Sequence, residues 1–198
     1  MKRLSIITFF AFLILTFAGA TSAQVKGKKP KSKLTVPRTV EDFYKILPVK
    51  YFPYLEYEPK NRASLMGSYS TANGYLSFDN NRPIQPINGQ ILLLKRMSGV
   101  SMLVIYYTDC VADPCTESLR FVEYENGRWT EADAAPPFDR QKVVEIYRRK
   151  TGKSPNDNAY VVYDLSPTDK SISVKFGDAE IYKLEWDGNI YDFATPQE

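Results

Sequence analysis

The sequence predicts an α+β domain: an antiparallel β-meander sheet of six to eight strands, curved or split in two, with two short covering helices. Three observations carry this reading. Short apolar or alternating runs recur through residues 74–193, turn-forming glycine pairs separate two sets of them at hairpin spacing, and two stretches, 39–47 and 139–150, place apolar residues at helical period. A cone-shaped, cystatin-like order with helix first and meander after is a variant. An all-β barrel is the alternative.

The first helix opens at Thr39, which caps it with Asp42 three places on, while Val40, Phe43, Tyr44 and Leu47 share one face and Pro48 ends it. The stretch YFPYLEYEP (51–59) is broken by Pro53 and Pro59 and reads as an extended covering segment. Residues 61–67 read as a further helical turn. Strands follow at 74–79, 89–97 and 101–108. The run SMLVIYYT (101–108) lacks alternation, so both its faces are expected to be covered and its place to be central. Residues 117–125 turn at Asn126-Gly127 into Arg128-Trp129-Thr130, a strong hairpin signal.

The second helix has Val143, Ile146, Tyr147 and Lys150 on one face and a basic outer face of Arg140, Lys142, Arg148 and Arg149, and it stops at Gly152 and Pro155. Strands resume with AYVVYDL (159–165). In SISVKF (171–176), Ile172, Val174 and Phe176 point inward and Ser171, Ser173 and Lys175 outward. AEIYKLEW and NIYDF then form a hairpin about Asp187-Gly188. FVEYENGRW (121–129) echoes YKLEWDGNIY (182–191), which duplication of a helix-plus-meander unit or chance would equally produce.

Ahead of this domain, residues 1–23 have the parts of a cleavable signal peptide: Lys2 and Arg3, an apolar run from Leu4 to Ala18, and Thr21-Ser22-Ala23. The apolar run of about 15 residues is shorter than the roughly 20 needed to span a bilayer, and no later segment is long or apolar enough. Export to the periplasm or the extracellular space is expected. Residues 24–38 form a basic arm without acids and with few large apolar side chains, a composition that favours flexibility. It reads as a solvated linker or as a tether to an anionic envelope component or protein partner. The rest, 39–198, is one domain, divisible into halves 39–135 and 136–198. It carries 18 basic against 23 acidic residues, which does not suit a nucleic-acid reader.

The chain has no histidine, which excludes imidazole acid–base chemistry and His-ligated zinc. No phosphate-cradling glycine motif is present, and no cofactor or metal is expected. Cys110 and Cys115 read as a disulfide rather than a redox pair, because four residues separate them, not the two of thioredoxin-like motifs, in a chain expected to be exported. Asp109, Asp113 and Glu117 lie near them, without the EF-hand spacing that calcium would favour. What stands out is aromatic content: 14 Tyr, with 23 aromatic residues after Ala23. Tyr51, Tyr54, Tyr57, Trp129, Trp186 and Tyr191 are the candidates for an exposed contact surface, against the reading that they fill the core. The sequence therefore favours a non-enzymatic extracytoplasmic binding or interaction domain, with a carboxylate-dependent hydrolase of cell-envelope polymers as the alternative.

Overall fold

Thr39 starts helix α1 (Val40–Ile46) with a reciprocal cap: its hydroxyl accepts from the Asp42 N–H at 3.1 Å, and the Asp42 carboxylate accepts from the Thr39 N–H at 3.1 Å. Backbone N–H groups of Arg38 and Thr39 hold the Asp42 carboxyl below its usual pKa. A single 3₁₀ turn, Val49–Tyr51, follows. The computed structural model describes residues 36–51, 62, 66–70, 72–79, 87–109, 116–136, 139–156 and 159–194, all in the compact unit Val36–Glu198. The expected leader, most of the basic arm, Tyr54, Tyr57, Cys110, Asp113 and Cys115 lie outside the described residues.

Among the described residues, ten strands form two antiparallel meanders. The first sheet runs in the order β1 (Met66–Ser70), β2 (Tyr75–Asp79), β3 (Ile87–Lys95), β4 (Ser101–Asp109), β5 (Thr116–Glu125) and β6 (Arg128–Glu131). After α2 (Arg140–Thr151), the second sheet comprises β7 (Val161–Leu165), β8 (Ile172–Phe176), β9 (Ala179–Trp186) and β10 (Tyr191–Phe193), ordered β10-β9-β8-β7. The fold is thus mixed α+β, and among the described residues neither sheet closes into a barrel. Six and four strands in separate sheets replace the expected total of six to eight. Of the stretch read as a helical turn at 61–67, Arg62 is 3₁₀-helical and a strand begins at Met66.

Alternation along the first sheet sorts its side chains into two cores. Ile91, Leu103, Ile105, Tyr107 and Val122 face α1, where Val40, Phe43, Tyr44 and Leu47 cover them together with Tyr51. Leu92, Leu94, Met102, Val104 and Tyr106 point to the opposite side and meet Leu165, Ile172, Val174, Leu184 and Tyr191 of the second sheet. This explains why β4 shows no alternation in sequence: from Met102 to Tyr107 every residue is buried, on whichever side it points.

The two helices do not share a face of one sheet, which corrects the simple covering arrangement. α1 packs on the first sheet and α2 on the second. Ile172, Val174 and Phe176 alternate along β8 and all point inward, as expected. The first two meet the other sheet, and Phe176 meets Val143 and Tyr147 of α2. Ser171, expected outside, is buried, and both its N–H and its hydroxyl donate to the Asp169 Oδ1.

Candidate functional site

Helix α2 is set by sequence at both ends. The Asp139 carboxylate accepts from the Gln141 N–H at 2.8 Å, and Gly152 closes the helix at φ 68°, a left-handed conformation that glycine tolerates best. The helix lies over a β-bulge: pairing of β8 with β9 steps from Val174–Tyr182 to Lys175–Glu180 and leaves Ile181 over. Lys150 answers the bulge, its Nζ donating to the carbonyls of Glu180 at 3.0 Å and Ile181 at 3.4 Å. Openings flank α2 on both sides.

One opening is a groove of about 640 Å³ between α2 and the β9–β10 edge. Tyr182 and Phe193 line it, their ring centroids 4.9 Å apart and the planes tilted by 48°. Phe193 remains 43% exposed. Arg149, Glu180 and Glu185 also line this opening.

On the other side, a cleft of about 350 Å³ lies between β5, the 132–136 connection, α2 and β7, with Glu117, Phe121, Asp133, Arg140 and Tyr163 in its lining. Strand β7 is an edge of its sheet, and side chains of the first sheet cover that edge. The Val161 N–H donates to the Glu117 Oε1 at 3.1 Å, and the Leu165 N–H donates to the Gln90 Oε1 at 2.8 Å. Between them the buried Tyr106 hydroxyl lies against the Tyr163 backbone. Burial pushes the Tyr163 phenol up to about 12 and raises the Glu117 carboxyl, against the lowering effects of the Val161 N–H and Arg140.

A pH prediction follows from Glu117. Its carboxyl binds its proton more tightly when folded than when unfolded, so ionisation costs the folded state stability. That cost is absent below the ordinary glutamate range and fully present once pH has risen through the folded value. Glu117→Gln retains an oxygen for the Val161 N–H and cannot ionise. Urea unfolding should therefore show the variant gaining on the wild type as pH rises from 4 to 7, by less than about 1 kcal/mol for a half-buried group. A difference that does not change with pH would contradict the assignment.

The sequence-chosen aromatic residues are distributed differently from an exposed surface. Tyr51 and Tyr191 are 2% and 1% exposed. The Tyr51 hydroxyl donates to the Trp129 carbonyl at 3.2 Å, and that of Tyr191 to the Lys170 carbonyl at 2.8 Å. Trp129 is partly buried against Phe43, Tyr51 and Tyr124. Trp186 is partly buried and packs on Tyr191, with centroids 5.3 Å apart. The structure brings these four into core clusters and not into one surface.

Comparison with known proteins adds one likeness. The chain is similar to a domain of an uncharacterized protein from Porphyromonas gingivalis W83. The identity is 12% and the TM-score 0.46, over 81% of this chain and 100% of that one. No family model matches the chain, and no curated protein matches it.

Tyr182 and Phe193, the rings that line the groove beside β10, are not among the residues the sequence singles out. The available signal was their position on the last two strands: β10 has three residues and one paired side, so a ring there can be covered from one side only. Glu117 was noticed only as a loop acid, since nothing local indicates that it accepts a hydrogen bond from a residue 44 positions away.

Proposed function

We propose that the protein is an exported, non-catalytic binding domain of the extracytoplasmic space and that its contact surface is the aromatic groove between α2 and the β9–β10 edge. The observation that carries this reading is the half-exposed Phe193 beside Tyr182 in an opening of a size typical for ligand sites, about 300–1,000 Å³. Aromatic faces give a large contact area with few rotatable bonds to order. The leader sequence supports export, and the basic arm supplies a tether able to strengthen contact with an anionic surface.

Purified protein beginning at Gln24 should sediment with cell-envelope fragments. Phe193→Ala should weaken that retention about fivefold or more, the loss of roughly 1 kcal/mol or more that an aromatic anchor supplies. Equal retention of the variant, or none of the parent, overturns the reading.

A carboxylate-dependent hydrolase is the second reading, favoured by Glu117 and Asp133 lining one cleft with the Glu117 carboxyl raised, the state a general acid requires. Release of soluble fragments in the same incubation, abolished by Glu117→Gln, would move the conclusion to that cleft.

A further inference from the structure

The polar groups around the Tyr182–Phe193 pair deepen the binding reading, on which this inference rests, by identifying what the groove would take. Two of its cations are already engaged: Lys150 with the carbonyls of the β9 bulge, and Lys183 with the Asp169 carboxylate at 2.9 Å. Among the described residues, Arg149, Glu180 and Glu185 form no ion pair, although all three line the same opening. The groove therefore offers an aromatic floor, one guanidinium without an ion pair, and two carboxylates that act on Lys183 only through space.

This set discriminates among ligands. With Asp169 on Lys183, the cations Arg149, Lys150 and Lys183 are matched by three carboxylates, so the opening has no net charge to draw a polyanion, and charged groups around the floor disfavour a lipid chain, whose burial would strip them of water. Hydroxyl groups both donate and accept, so adjacent pairs of them can give two hydrogen bonds to a carboxylate and receive two from a guanidinium. A sugar ring adds an apolar C–H face that lies flat on an aromatic ring. We infer that the groove recognises a neutral saccharide through its vicinal hydroxyls, with Phe193 and Tyr182 as the platform and Arg149, Glu180 and Glu185 as the hydrogen-bonding rim.

The test uses protein beginning at Gln24 on immobilised 1→4-linked glucan, xylan and mannan, whose residues keep vicinal hydroxyls, with heparin as a polyanion, and soluble oligosaccharides of the retained type as competitors. Retention on at least one neutral glycan is expected, released by its oligosaccharide. Phe193→Ala and Glu185→Gln should each raise the dissociation constant tenfold or more without a change in melting temperature. Retention on no neutral glycan, retention on heparin alone, or parent-like binding by both variants overturns the inference. Envelope fragments treated with periodate, which cleaves vicinal diols, separate the two levels. If treated fragments still hold the protein, the saccharide assignment fails and the binding-domain reading stands. If untreated fragments do not hold it either, both fail.

Discussion

Arg62→Ala is expected to destabilise the domain by about 3–5 kcal/mol, because the guanidinium makes two charge-assisted hydrogen bonds worth roughly 1.5–3 kcal/mol each. Arg62 is 1% exposed, the largest fully buried side chain of the described residues. Its Nη1 donates to the carbonyl of Tyr44 at 2.9 Å and to that of Leu47 at 2.5 Å, at the end of α1. The Tyr44 carbonyl otherwise takes only a long bond of 3.4 Å from the Leu47 N–H, and carbonyls at this end carry the negative end of the helix dipole, so a buried cation is matched to them in geometry and in sign. Removal leaves the Tyr44 carbonyl with the long Leu47 N–H bond, takes the guanidinium from the Leu47 carbonyl, and opens a cavity besides. Arg62→Lys should recover only part of the loss, since its ammonium sits on a shorter side chain than Nη1 and is more strongly hydrated than a guanidinium. Urea denaturation of the three proteins measures this, and a loss below about 1 kcal/mol for the alanine variant would show that water replaces the guanidinium.

An arginine in that role could not be read from the sequence. Arginine is ordinarily a surface residue, and the two carbonyls it serves are 18 and 15 positions away. Features specified within a few residues were legible: the Thr39–Asp42 cap, the buried run of β4, the inward alternation of Ile172, Val174 and Phe176, and the hairpin at Asn126-Gly127, both of whose residues take positive φ. The division into two sheets was legible only as an alternative to one curved sheet, because the choice depends on what covers the free edge of β7. Gln90 and Glu117 do so from 75 and 44 positions away. Nothing in AYVVYDL distinguishes a strand completed by side chains from one completed by another strand.

The aromatic residues show the same limit. Both hairpins place a cross-strand aromatic pair at equal spacing about the turn, Tyr124 opposite Trp129 and Trp186 opposite Tyr191, with ring centroids 4.8 Å and 5.3 Å apart. The first pair packs under α1 and the second against the first sheet. A tyrosine looks alike in sequence whether its hydroxyl ends in water or, like that of Tyr191, on a buried carbonyl. The candidate surface shifted to Tyr182 and Phe193 for this reason. Tertiary coverage, not residue type, decides which rings remain open.

Gly89→Ala should cost about 3 kcal/mol, the upper end of the range for overpacked cores, although alanine adds only one methyl group. The backbone at Gly89 does not require glycine, but the space does. Gly89 pairs with Phe78 across β2 and β3, and a Cβ placed on it would lie 1.9 Å from Cζ, 2.4 Å from Cε2 and 2.7 Å from Cε1 of the phenyl ring. The ring cannot simply swing aside, because Phe78 is 3% exposed and stacks on Tyr44 of α1 at 6.1 Å and 15°. Accommodation would have to displace Tyr44, whose carbonyl is one of the two that Arg62 holds. The clash requires both partners, so the expected signature is a coupling energy. Phe78→Ala will be destabilising alone, by roughly 3–5 kcal/mol, yet adding Gly89→Ala to it should cost little and refill part of the cavity. A double-mutant cycle by urea unfolding should give about 2 kcal/mol or more of favourable coupling. Equal costs of Gly89→Ala in both backgrounds would mean that the glycine is needed for a reason other than the ring lying over it.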